Sequence, residues 1–172
     1  MNLKVPGFKA GAVAAGVRYA NRLDLGLILA EQPCAASGLF TTNYVKAPSI
    51  VLNKRRLRSR QTQAVLVNSG NANACVGPRG WLDTLGCTGA VAAVLGVRPN
   101  LVLMNSTGVI GEPLPAGRIT AAIPRLLASL REDGLGDFAQ SIMTTDTRPK
   151  TAMRRLEING SQVTIAGMVK GA

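Results

Sequence analysis

Apolar residues in the first half of the chain come in short runs broken by Gly, Pro and Asn, a spacing that suits strands rather than helices. Strands are accordingly expected over Gly7–Arg18, Leu23–Ala30, Ser37–Thr42, Ile50–Leu52 and Ala64–Asn68. The pattern then changes. Trp81–Leu95 is rich in Ala, Leu and Val, lacks proline and ends at Gly96, which predicts a helix packed on a sheet. The apolar run Leu101–Met104 gives way at once to Asn105, Ser106, Thr107 and Gly108, with Gly111, Pro113 and Pro115 beyond, so a buried strand is expected to run out there into a turn. Gly117–Leu130 predicts a second helix, with Ile119, Ala122, Ile123, Leu126, Leu127 and Leu130 on one side and Pro124 as an interior breaker. Phe138–Met143 predicts a short third helix, and Thr151–Met168 alternates around Asn159-Gly160 as a β-hairpin does. The expectation is one α/β domain over residues 1–172.

Composition refines this picture. Apolar residues make up 47% of the chain and aromatics only 3%, so the core must be built from Ala, Val, Leu and Ile. A chain of this length buries about 68 to 70% of the surface it exposes when unfolded, enough for a single core. No apolar run is long enough to span a bilayer, and the residues before Ala10–Val17 do not form a secretory signal, so a cytoplasmic location without membrane contact is expected. The odd set Cys34, Cys75 and Cys87 lacks CxxC spacing, which argues against a disulfide framework or a zinc site and for reduced, mostly buried thiols.

The chain has no histidine, so no Ser-His-Asp or Cys-His arrangement can be assembled from it, and a histidine-ligated metal is excluded. If it handles acyl groups, the base is something else. A threonine at a chain's own N-terminus, using its α-amine as base, is one such device. This chain begins at Met1, so a nucleophile of that kind is expected on another polypeptide.

Thr107 and Gly108 are the candidates for charge stabilisation. A glycine lets the backbone approach a ligand and present its N–H, and a neighbouring threonine adds a hydroxyl donor, so the pair suits an oxyanion hole. The same residues also suit a turn that only satisfies its own backbone. The run Asn68–Gly77, NSGNANACVG, is likewise either a tight structural loop before the Trp81 helix or a pocket wall with amides aimed at a ligand. Arg148 and Lys150, flanking Pro149, either shape a carboxylate pocket or are surface charge.

Net charge is +11, and Lys54, Arg55, Arg56, Arg58 and Arg60 crowd one segment. A cluster of this kind can track phosphates, which makes a nucleic-acid-binding module the rival class. No base-stacking aromatics are interleaved with it and no helix-turn-helix, zinc-finger or RRM pattern occurs, so a solvated basic face or a face for an acidic partner fits better, and no nucleic-acid partner is expected.

Several stretches occur together and in order: GFKAGAVAAGVR (Gly7–Arg18), DLGLILA (Asp24–Ala30), GLFTTNYVKAPS (Gly38–Ser49), NSGNANACVG, STGVIGEPLP (Ser106–Pro115), MTTDTRPK (Met143–Lys150) and a terminal GMVKGA. In these the sequence resembles the α chain of the ornithine acetyltransferase family, also called arginine biosynthesis bifunctional proteins or glutamate N-acetyltransferases. The resemblance implies half of a layered sandwich, sheets inside and helices outside, of the N-terminal-nucleophile-like type. It implies a precursor that cuts itself between an alanine and a threonine, whose new N-terminal threonine on the β chain takes the acetyl group of N-acetylornithine and passes it to glutamate. Two α and two β chains are implied as the assembly. Matched residue by residue, Thr107 and Gly108 become the oxyanion pair, and Thr144 and Lys170 become substrate-binding positions. No cofactor or metal is implied; acetyl-CoA is left open as an alternative acetyl donor. The family continues past VKGA to the cleaved bond and this sequence stops at Ala172, so a fragment or an incomplete α chain, inactive alone, is expected. Self-processing aminopeptidases with an N-terminal serine resemble the same family, but STGVIG and MTTDT favour the acetyltransferase.

Overall fold

The computed structural model describes residues 3–171. Four strands form one mixed sheet in the order β1 (Phe8–Val13), β2 (Leu25–Ala35), β3 (Gln61–Asn71) and β4 (Val102–Val109). The first two pairings are antiparallel; β3 and β4 run parallel, joined over one face by helix α2 (Pro78–Leu95). Parallel neighbours need such a crossover. Helix α1 (Pro48–Arg56) precedes β3, while α3 (Ala116–Ala128) and α4 (Leu135–Ser141) follow β4. A hairpin of β5 (Lys150–Ile158) and β6 (Ser161–Val169) ends the chain, with Asn159 and Gly160 both at positive φ in its turn.

Alternation along the strands divides the apolar residues between two layers. Leu25, Leu27, Ala64, Leu66, Val102 and Met104 face the helices, where Cys87, Val91 and Ala92 of α2 meet Ile119, Ala122, Ile123 and Leu126 of α3. Ile28, Val65 and Val67 face the opposite way, onto Leu135, Phe138 and Ile142 and onto Met153, Ala166 and Met168 of the hairpin. The succession is helices, four-stranded sheet, then hairpin with α4 beside it. This is the expected α/β class.

Several local expectations are corrected. Ile50–Leu52 is helix, not strand: Pro48 occupies the first turn, where its missing N–H costs nothing, and Lys54, Arg55 and Arg56 sit at the negative end of the helix dipole. Ser37–Thr42 forms no strand and lies in an exposed loop, and of Gly7–Arg18 only Phe8–Val13 is strand. Pro124 does not break α3, because it lies on the exposed side while the buried stripe holds the helix to the core. The expected turn at Asn105–Gly108 is strand, and Asn68–Asn71 ends β3 rather than forming a loop. Pairing between β3 and β4 overrides the turn preference of these residues: Asn68 lies opposite Ser106, Ser69 opposite Thr107 and Gly70 opposite Gly108.

Candidate functional site

The site is built where β3 and β4 stop. Gly70 and Gly108 face each other there, with φ of 101° and 137°. A Cβ on Gly108 would lie 2.2 Å from the Gly70 carbonyl carbon, so only glycine permits this approach. β4 is an edge strand, and α1 fixes which of its backbone groups face outward. The Arg56 guanidinium donates to the Val102 carbonyl. Asn53 holds both outward groups of Met104, its Nδ2 donating to the carbonyl at 2.9 Å and its Oδ1 accepting the N–H at 3.1 Å. At the other end of the strand the Val109 carbonyl turns inward and accepts from Ala72 N–H at 2.9 Å. Backbone groups alternate between the two edges of a strand, so Ser106 and Gly108 share the outward phase of Met104. Gly108 is exposed, and carrying this alternation forward puts its N–H on the open edge.

Thr107, the neighbouring residue, faces the hairpin side. It lines a hollow of about 340 Å³ together with Val65, Val67, Phe138, Met168 and Lys170. Gly108 lines a second hollow of about 230 Å³ with Arg18, Arg22, Ser69, Gly70 and Thr144. The four residues singled out in the sequence thus fall on two hollows, one lined by Thr107 and the other by the next residue, Gly108. Thr107 and Lys170 share one, and Gly108 and Thr144 share the other. Thr107 is half-buried and Lys170 exposed.

The segment bearing Thr144 is held by Arg22, which no motif singled out, and by Asp146 and Lys150 of the MTTDTRPK run. Arg22 donates to the Met143 carbonyl at 2.5 Å and to the Thr144 carbonyl at 3.1 Å. Asp146 accepts the Thr144 N–H at 3.3 Å and pairs with Lys150 at 2.8 Å. Lys150 is therefore engaged within its own segment, and Arg148 is exposed. Asp24, buried at the start of β2, fixes the opposite wall by accepting from Ala15 N–H at 2.7 Å and Val17 N–H at 2.6 Å.

The amides of the Asn68–Gly77 run point inward. Asn68 donates to the Asn71 carbonyl, Asn71 to the Glu112 and Pro113 carbonyls, and Asn73 to the Gly80 carbonyl and the Thr84 hydroxyl in the first turns of α2. The donors of these side chains are spent on the framework. Only Ser69 and Gly70 of the run reach a hollow named above. The thiols differ from expectation: Cys87 alone is buried, Cys34 is half-buried, and Cys75 is exposed in a left-handed turn at φ 59°. Burial, with Asp83 nearby, pushes the Cys87 thiol up to about 12.

The ArgJ family model matches residues 9–172, nearly the whole chain. The chain belongs to the ArgJ family. Its curated ArgJ relatives include the arginine biosynthesis bifunctional proteins of Symbiobacterium thermophilum, 46% identical over 168 residues, and of Geobacter sulfurreducens, 46% identical over 170 residues. These alignments take in 96% and 99% of this chain but 42% and 43% of the relatives, so the chain spans less than half of their length. Among solved ArgJ structures, the arginine biosynthesis bifunctional protein of Bacillus halodurans superposes with a TM-score of 0.92 at 35% identity, covering 98% of this chain and 88% of that one. The ornithine acetyltransferase of Mycobacterium tuberculosis, solved with ornithine, gives 0.91 at 38% identity, covering 98% of this chain and 90% of that one. ArgJ family proteins act on small molecules, and among the described residues no helix is long and apolar enough to cross a membrane.

Proposed function

We propose that this chain is the α-chain part of an acetyltransferase that moves an acetyl group from N-acetylornithine to glutamate in arginine biosynthesis. The observation that carries the reading is the pair of donors at the end of β4. The Thr107 side chain lines one hollow and Gly108 the other, and strand alternation puts the Gly108 N–H on the open edge of the same strand end. Attack on an acetyl carbonyl turns its oxygen into an oxyanion. Two fixed donors placed where that charge develops lower the barrier, and losing one typically slows such reactions by about 10² to 10³. The attacking hydroxyl comes from the N-terminal threonine of a β chain cut from the same precursor, whose α-amine serves as the base that this histidine-free chain lacks. Acetyl-threonine forms, ornithine leaves, and glutamate collects the acetyl group.

In this reading Lys170 receives the substrate's carboxylate as a charge-assisted partner, and Thr144 closes the adjoining hollow. Two α and two β chains make up the assembly. Acetyl-CoA remains a second candidate donor for the same nucleophile. The basic α1 segment fits a framework role better than nucleic-acid binding, since Arg55 lies 5.0 Å over the Trp81 ring and Arg56 is spent on the Val102 carbonyl. The test is the uninterrupted precursor, expressed so that it cuts itself, then given N-acetylornithine and glutamate. Stoichiometric appearance of ornithine and N-acetylglutamate supports the reading. A processed protein that releases neither, or one that binds duplex DNA tightly and with strong salt dependence, overturns it.

A further inference from the structure

The segment after α4 has no regular structure until β5 begins, yet it carries Thr144, which lines one hollow, and it sits beside the end of β6, where Lys170 lines the other. Something must set the separation of these two side chains. The Asp146 side chain is 1% exposed, unusual for a carboxylate, and its hydrogen bonds reach both parts of the chain. Its Oδ2 accepts the Thr144 N–H at 3.3 Å, and its Oδ1 accepts the Gly171 N–H at 3.1 Å and the Lys150 ammonium at 2.8 Å. Lys150 also donates to the Gly171 carbonyl. One carboxylate therefore ties residue 144 to residue 171, immediately after Lys170. Arg22 grips the opposite side of the segment through the carbonyls of Met143 and Thr144.

We infer that Asp146 is a positioning residue for substrate binding, a buried latch that holds Thr144 of one hollow in fixed relation to Lys170 of the other. This rests on the acetyltransferase reading for what is bound, and on geometry alone for what is held. Lys150, with the Gly171 and Thr144 N–H groups, keeps the Asp146 carboxyl well below the usual carboxylate range, so the latch stays charged throughout the neutral region. It touches no reacting atom. Its loss should weaken contacts made equally in the ground and transition states, and so raise KM while leaving kcat nearly unchanged.

The experiment uses the self-processed precursor with N-acetylornithine as the varied substrate. Asp146→Asn keeps the shape and removes the charge that retains Lys150. The expected result is a KM raised about tenfold or more with kcat within about threefold, the signature of lost uniform binding. If Asp146→Asn does not fold, Asp146→Glu carries the test, because it keeps the charge but displaces the oxygens by a methylene, and the same KM rise is expected. An unchanged KM, or a fall in kcat alone, overturns the inference. A lowered melting temperature with wild-type KM also overturns it, since that is all a merely structural carboxylate would do. If the wild-type precursor transfers no acetyl group, the proposed function fails; if it does and the Asp146 variants match it, the latch alone fails.

Discussion

Replacing Asn53 tests how α1 sets the phase of β4. Met104 is fully buried, and the two backbone groups it turns outward are bonded to the Asn53 side chain and to nothing in the sheet. Asn53→Ala leaves a buried N–H and a buried C=O without partners. Each such group costs about 1 to 3 kcal/mol, and with the lost contact to the Asn105 side chain the total is about 3 to 5 kcal/mol. That is a large part of the roughly 5 to 15 kcal/mol that holds a domain together. Asn53→Leu separates the causes, because it refills the volume and restores neither hydrogen bond, so it should lose nearly as much as alanine. The assay is equilibrium urea unfolding followed by Trp81, the chain's sole tryptophan, which sits on α2 under Arg55 of α1 and so reports on this contact. A loss below about 1 kcal/mol in both variants, no more than one ordinary hydrogen bond, refutes the reasoning. Met104 would then have other partners, and the outward direction deduced for the Gly108 N–H would lose its anchor.

Gly108→Ala sets a Cβ 2.2 Å from the Gly70 carbonyl carbon on a backbone at φ 137°, so β3 and β4 must part at the site. Backbone strain alone costs about 1 to 3 kcal/mol there, and a melting temperature within about 1 °C of wild type would contradict the close approach. Among the cysteines, Cys75 should be alkylated readily in the native protein at pH 8, whereas Cys87, its thiol raised to about 12, should stay protonated and unlabelled until the protein unfolds. The sign of that shift also means that stability falls as pH rises from the ordinary thiol range toward 12, because the unfolded chain gives up this proton first. Mass spectrometry after a timed iodoacetamide pulse checks the labelling, and equal modification of both residues would contradict it.

The parts of the fold legible in the sequence are those where periodicity and burial agree. The α3 stripe from Ile119 to Leu126 is visible as a spacing, and so is the Asn159-Gly160 turn. Ile50–Leu52 misleads because three β-branched or branched residues in a row suggest a strand, although Pro48 before them and three basic residues after them are helix signals present in the same sequence. Asn105–Gly108 misleads for a different reason. Its residue types prefer a turn, and only pairing with β3, more than 30 positions away, makes them strand. Thr107 and Gly108 stood out because their types suit charge stabilisation. Arg22, Asn53 and Asp146 did not, since each is a single polar residue whose partner lies far along the chain. Arg22 reaches Thr144 across 122 positions, Asn53 reaches Met104 across 51, and Asp146 reaches Gly171 across 25. No local spacing reveals such pairs.

The central claim is that the end of β4 supplies the donors for an oxyanion. Replacing Thr107 in the self-processing precursor and measuring kcat/KM for acetyl transfer tests it most directly. Thr107→Ser keeps the hydroxyl and should stay within about tenfold of wild type, while Thr107→Val keeps the shape, loses the hydroxyl and should fall by about 10² to 10³. A valine variant that cuts itself and transfers acetyl groups at the wild-type rate contradicts the account.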